Sequence, residues 1–225
     1  NVSVSILKKS LGLVFDFDEK TAKEIREGEE SVDKYEDMLG TYLVKVSSKA
    51  LTTEDSHEVS KLLHIIGDYE RISDHAVNIL ESAEEIKNKK LQFSEQAKEE
   101  LKVMMNAVEE ILNLALQSFK ENSIEKAYKV EPLEQVVDNL QAFLKKQHVA
   151  RLRKQECTIE LGFVLTDLLT NLERVSDHCS NVAVCIIEIA HESFDMHSYL
   201  QNLKEIHNEE FERNVQSYSE KYNVV

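Results

Sequence analysis

Asp68-Tyr-Glu-Arg-Ile-Ser-Asp-His-Ala-Val-Asn-Ile79 returns later in the chain as Asn171-Leu-Glu-Arg-Val-Ser-Asp-His-Cys-Ser-Asn-Val182. The shared core is Glu-Arg, a β-branched residue, Ser-Asp-His, two variable positions and Asn, at Glu70–Asn78 and Glu173–Asn181. A match of that length within one short chain marks an internal duplication. Both copies place Val, Ile and Leu at helical spacing on either side, so each stretch reads as part of a long amphipathic helix.

Working outward, the periodicity continues as helix. Residues 2–15 carry an apolar stripe at Val4, Ile6, Leu7, Leu11 and Val14. Asp18 reads as the N-cap of a helix running to about Leu51, with Ile25, Val32, Leu39, Leu43 and Val46 facing inward. Thr52 with Asp55, or Thr53 with His57 and Glu58, opens the first motif helix, which runs to about Lys89. Ser94 caps a segment reaching Phe119, Ser123 caps one ending near Lys154, and Thr158 opens the second motif helix, to about Ala190. A last helix is expected over Tyr199–Tyr222. The fold class is all-α.

The duplication reaches beyond the motif. A shift of 105 residues aligns Leu7 with Leu112, Asp18 with Ser123, Glu29 with Glu134 and Asp33 with Asp138. By the motif helices the shift is 103, and the slip falls in a connection, where a change of length is tolerated. Each unit is therefore helix, helix, motif helix. The units are 1–91, with a shortened first helix, and 92–195; residues 196–225 form a helical extension that is a candidate to complete the first unit. Gly28 and Pro132 fall one place apart in this alignment, and both weaken helices, so a kink is expected in each unit.

Composition bounds the function. Five Gly, one Pro and no Trp leave little turn chemistry. A net charge of −15 argues against nucleic acid as a partner and suits a chain that binds cations. Three cysteines without zinc-ligand spacing indicate a reducing, cytoplasmic setting, with Cys179 and Cys185 expected in apolar packing. No signal peptide or membrane-spanning run is read in the sequence.

Glu70 and Asp74 lie four apart and so stack on one helix face, and Glu173 and Asp177 repeat them. The preceding helices offer Glu29 with Asp33 and Glu134 with Asp138. In so acidic a chain roughly eight such pairs arise by chance, mostly on solvated faces. What distinguishes these is their recurrence at equivalent places in both units. If the helices of a unit pack antiparallel, two pairs converge on one oxygen-rich site suited to Mg²⁺, Mn²⁺ or iron. Glu36 is the weaker candidate, because its counterpart is Gln141.

His75 and His178 point about 100° round the helix from the preceding Asp and are read as supporting or interface hydrogen-bonders. Asn78 and Asn181 are read as donors to the carboxylate stripe or across a helix interface, and Arg71 and Arg174 as partners of nearby carboxylates. A di-iron oxidase would need paired Glu-x-x-His motifs. Glu54–His57 and Glu188–His191 have that spacing, but the duplication does not relate them. No phosphate loop, nucleophile elbow or Ser-His-Asp arrangement is found, and no catalytic residue is assigned.

The twin motif and the upstream Glu-x-x-x-Asp pairs resemble the PhoU family. Val130–Asp138, His148–Leu152, Glu156–Glu160 and Asn171–Ala183 resemble the PhoU-like C-terminal domain of bacterial sodium/phosphate cotransporters. The resemblance implies two pseudo-symmetric three-helix bundles, with metal clusters at the motif faces holding iron, zinc or other divalent ions. Carried over, the metal ligands are Glu70, Asp74, Glu173 and Asp177 from the motif, and Glu29, Asp33, Glu134 and Asp138 from the partner helices. It further implies a non-enzymatic regulatory domain at the cytoplasmic face of the membrane. Its expected partner is a membrane-embedded sodium/phosphate transporter in the parent chain; inorganic phosphate and a second copy of the chain are further candidates. A free-standing PhoU-like signalling adaptor and a carboxylate-metal enzyme are the alternatives.

Overall fold

The computed structural model describes residues 2–191 and 208–223. Every regular element among them is helical: α1 (Val2–Leu13), α2 (Glu19–Ser47), α3 (Thr53–Lys89), α4 (Glu95–Glu121), α5 (Ile124–Ala127), α6 (Val130–Arg153), α7 (Ile159–His191) and α8 (Asn208–Lys221).

Local chemistry sets most helix starts. The Asp18 carboxylate accepts from Thr21 N at 2.7 Å, occupying one of the donors that a helix start leaves without an intrahelical partner. Thr52 and Asp55 form a reciprocal capping box at α3. Ser94 caps α4, and Thr158 Oγ1 accepts from Leu161 N at the start of α7. At the far ends, Lys90 and Asn122 adopt left-handed backbone conformations that stop α3 and α4.

The bundles follow from the apolar stripes. In the first, α1, α2 and α3 pack together; in the second, α4, α6 and α7 do so. The motif helices α3 and α7 pack along each other and join the two into one continuous core. Ile72 and Val175, the β-branched residues of the motif, are fully buried there. Burying such side chains contributes about 1.5–3 kcal/mol each.

The structure departs from the sequence reading in four places. The helix expected from Ser123 to Lys154 is two helices, α5 and α6, broken at Tyr128–Lys129. Pro132 then sits in the first turn of α6, where its missing N–H costs nothing. In the first unit α2 runs unbroken through Gly28. The glycine serves close approach instead, since a Cβ there would run into Ile6 of α1.

Leu39, expected inward, is 46% exposed, whereas its counterpart Leu144 is 1% exposed. The cause is length. α1 has 12 residues against 27 in α4, and so leaves the C-terminal half of α2 uncovered. The final helix does not fill that gap. α8 packs along α6, and Lys221 reaches Glu110 of α4 at 2.7 Å, so it extends the second bundle. Residues 199–207 of the expected last helix lie outside the described residues.

Candidate metal centre

The helical spacing and the α2–α3 packing together bring three carboxylates into one place. Oxygens of Glu29 and Asp33 on α2 and Asp74 on α3 all lie within 4.8 Å of one another. Glu134 and Asp138 on α6 and Asp177 on α7 form the same triad within the same distance in the second unit. The duplication is thus a duplication of a site.

Glu70 and Glu173 stand one turn before the motif aspartates, outside the two triads but beside them. Each is linked to its site through the next residue. Arg71 Nη1 donates to Asp74 Oδ2 at 3.2 Å, and its Nε lies 3.5 Å from Glu70 Oε2. Arg174 Nη1 donates to Asp177 Oδ2 at the same 3.2 Å, with its Nε 3.9 Å from Glu173. Both guanidinium groups are more than half exposed, so each pairing is weak and easily exchanged.

Convergence of like charge leaves its mark on proton affinity. Burial, then the neighbouring Asp33 and Asp74 carboxylates, raises the pKa of Glu29. Burial and Asp74 raise that of Glu70, and burial and Asp177 raise that of Glu173. Burial and Asp177 do the same to Asp138. Glu134 is pushed up to about 8 by burial and by Glu131, Asp138, Asp177 and Glu173. Acidic groups held this close, in a partly desolvated place, are stabilised by a bound cation.

The donor set fits a metal ion. It is all oxygen, and it comes from two helices whose backbones are fixed by core packing. Hard or borderline divalent and transition-metal ions match it.

The remaining motif residues do other work. His75 Nδ1 donates to Asn171 Oδ1 at 2.8 Å, and Asn78 Nδ2 donates to the same oxygen at 3.1 Å. In the mirror arrangement, His178 Nδ1 lies 2.9 Å from Asp68 Oδ1, which Asn181 Nδ2 also reaches at 3.2 Å. These four bonds cross between α3 and α7, and the two imidazole centroids are 5.6 Å apart. The histidines and asparagines thus bond across the interface. Ser73 and Ser176 are buried and return their hydroxyls to the carbonyls of Glu70 and Glu173, at 2.7 and 2.8 Å.

The acceptors Asp68 and Asn171 were missed in the sequence reading, although they stand at equivalent places as the first residues of the two quoted stretches. Also missed were Glu131, which accepts a hydrogen bond from Ser180 across α6 and α7, and the buried pair in which Arg151 Nη1 donates to both oxygens of Glu100 at 2.8 and 2.9 Å. Neither is repeated in the other unit. Glu188, half of one discarded di-iron motif, pairs with Lys61 at 3.2 Å. Cys179 and Cys185 are buried in the core.

Comparison with known proteins places these features. The family model described as the PhoU domain matches residues 1–83 and 101–186. Phosphate-specific transport system accessory protein PhoU homolog 1 of Thermotoga maritima is 28% identical over 128 residues, 57% of this chain and 54% of that protein. PhoU homolog 2 of the same organism is 24% identical over 185 residues, 79% and 74% of the two chains. The match to the first relative thus spans about half of that protein's length. Among solved structures, PhoU from Pseudomonas aeruginosa superposes with a TM-score of 0.79 at 19% identity, covering 85% of this chain and 91% of that one. The phosphate transport system regulatory protein PhoU from Streptococcus pneumoniae gives 0.72 at 18% identity, covering 86% and 90%.

Proposed function

The chain belongs to the PhoU family, and from that membership we propose that it is a metal-binding regulatory protein of phosphate transport, not an enzyme. The observation that carries the metal part is the pair of equivalent carboxylate triads, Glu29–Asp33–Asp74 and Glu134–Asp138–Asp177. Glu70 and Glu173 supply the neighbouring carboxylates as the further ligands of each site. An ion of iron, zinc, manganese or magnesium bound there supplies a Lewis-acid centre that accepts oxygen from phosphate or from a partner's carboxylate.

The protein's own residues hold the two faces in fixed relation. The bonds between α3 and α7 tie the motif helices together, so both sites ride on one rigid element pair. Arg71 and Arg174 occupy carboxylate oxygens that an ion would claim, and their exposure lets them turn outward.

The partner is a membrane-embedded phosphate transporter, with this chain acting at its cytoplasmic face. No helix among the described residues is long and apolar enough to cross a membrane. The curated relatives are named as accessory proteins of phosphate-specific transport systems, which favours an adaptor acting on a separate transporter. They lend no support to fusion with a sodium/phosphate cotransporter, for which the motif resemblance is the only ground.

The test has two arms. Elemental analysis of protein purified without chelator should find bound metal, lost in the Asp74→Ala/Asp177→Ala double variant. Cells lacking the gene should misregulate phosphate uptake, and the wild type but not the double variant should restore it. Protein that takes up no ion on titration removes the metal part. Unchanged uptake in the deletion removes the transport part.

A further inference from the structure

The stretch Lys145–Lys154 holds five basic residues and no acid, in a chain of net charge −15. No other ten consecutive residues hold as many, and the counterpart in the first unit, Gly40–Lys49, holds two. The function proposed above uses none of them. Across the turn that follows stand the two most exposed large apolar side chains among the described residues, Ile159 at 70% and Phe163 at 69%, with Val149 of the basic stretch at 47%. The counterparts of Ile159 and Phe163 are Ser56 and Ser60, so the fold does not need apolar residues at these places.

Buried contacts hold the corner between α6 and α7. Arg151, one of the five, is buried and donates to both oxygens of Glu100 on α4. The His148 ring lies against Gly162, where a Cβ would come within 2.5 Å of its Nε2, and its Nδ1 is 3.8 Å from Cys157 Sγ. Gln155, in the left-handed conformation, turns the chain between the two helices. The residues next to the His148–Gly162 contact, Val149 and Phe163, are both exposed, and Ile159 stands one turn before Phe163 on the same face of α7. Lys146, Val149 and Arg153 share a face of α6 at i, i+3 and i+7. Lys146, Arg153 and Lys154 are exposed, and none of them pairs with a carboxylate among the described residues. The acids of the corner are Glu156 and Glu160, and the charge of Glu160 acts on Lys89 at the end of α3.

We propose that the α6–α7 corner docks on an anionic lipid surface, with Val149, Ile159 and Phe163 entering the headgroup region and Lys146, Arg153 and Lys154 meeting the lipid phosphates. Exposed apolar side chains flanked by unpaired cations match such a surface twice, through burial of apolar area and through attraction to negative headgroups. Charge complementarity favours it over a second copy, because a copy docking by the same corner sets these cations against each other. The rest of the molecule is strongly acidic, so an anionic surface repels it and turns the corner inward. The inference rests on the reading of the chain as acting at a membrane face and is independent of the metal sites.

The test is co-sedimentation of the whole chain with vesicles, of phosphatidylcholine alone or of phosphatidylcholine and phosphatidylglycerol in equal parts. Binding is expected to the mixed vesicles only, and to weaken as salt is raised. Ile159→Ser/Phe163→Ser, which follows Ser56 and Ser60 of the first unit, and Arg153→Gln/Lys154→Gln should each weaken it by about tenfold or more. Met38→Ser, at an exposed apolar residue of α2, should bind as the wild type does. Wild type that binds neither vesicle overturns the proposal, as do corner variants that bind like the wild type. Equal binding to both vesicles overturns it by removing the part played by charge. A dimer in sedimentation velocity that Ile159→Ser/Phe163→Ser dissociates overturns it by making a second copy the occupant. The vesicles carry no transporter, so these outcomes are separate from those of the uptake experiment.

Discussion

His178 Nδ1 lies 2.9 Å from Asp68 Oδ1, joining two motif helices whose partners are 110 residues apart in sequence. The relation is half of a pseudo-symmetric pair, since His75 meets Asn171 in the same way at 2.8 Å. Each acceptor oxygen also takes a bond from an asparagine one turn further on, Asn181 or Asn78. Asp68→Ala therefore leaves the part-buried His178 and the exposed Asn181 without their acceptor. The expected loss is about 1–3 kcal/mol of unfolding free energy in urea. A double-mutant cycle of Asp68→Ala with His178→Ala should show a coupling of about 0.5–3 kcal/mol. Additive losses would mean that the contact contributes nothing.

The covered and bare halves of α2 give a contrast within one helix. Ile25 is fully buried beneath α1, while Leu39 is 46% exposed. Ile25→Ala should cost about 2–5 kcal/mol, the usual range for emptying a packed site. Leu39→Ala should stay within about 0.5 kcal/mol. Equal losses in chemical denaturation would show that the outer half of α2 is covered in solution.

The helix starts and the carboxylate pairs were legible because both are local. Asp18, Thr52 with Asp55, and Ser94 act on backbone a few residues away, and i,i+4 spacing fixes which side chains stack. What escaped was set by distant chain. Leu39 has the same helical spacing as Ile25, and only the length of α1 separates their fates. Gly28 breaks no helix because its purpose lies in Ile6 of another one.

Gly28 supports a steric prediction. A methyl group at that position meets the Ile6 side chain, with Val2 also in contact distance at 3.5 Å. Gly28→Ala should gain helix propensity yet lose about 1–3 kcal/mol net through overpacking. Adding Ile6→Val removes one methyl from the crowded side chain and should restore part of the loss, read as the denaturation midpoint. A single Gly28→Ala variant as stable as the wild type would show that α1 can shift without cost.

The second triad makes metal-free stability depend on pH in a definite direction. The Glu134 carboxyl is held at about 8, against 4.5 for the ordinary group, by burial and by Glu131, Asp138, Asp177 and Glu173. A raised folded-state pKa means that the native protein keeps a proton which the unfolded chain has lost. Its contribution is fully present below pH 4.5, falls as pH rises, and is gone above about 8. Glu29, Glu70, Asp138 and Glu173 are shifted the same way and add to the trend. Asp18 and Glu24 are lowered by their hydrogen bonds to Thr21 and Lys9, so their contributions are lost only at pH values below the ordinary carboxylate range. In the presence of chelator the melting temperature should therefore decline between pH 5 and 8.5 through these groups, and Glu134→Gln, which cannot ionise, should decline less. Saturating Mn²⁺ should stabilise most at the alkaline end, where no proton has to leave before the ion binds. A Glu134→Gln variant with the same pH slope as the wild type would place the proton elsewhere in the cluster.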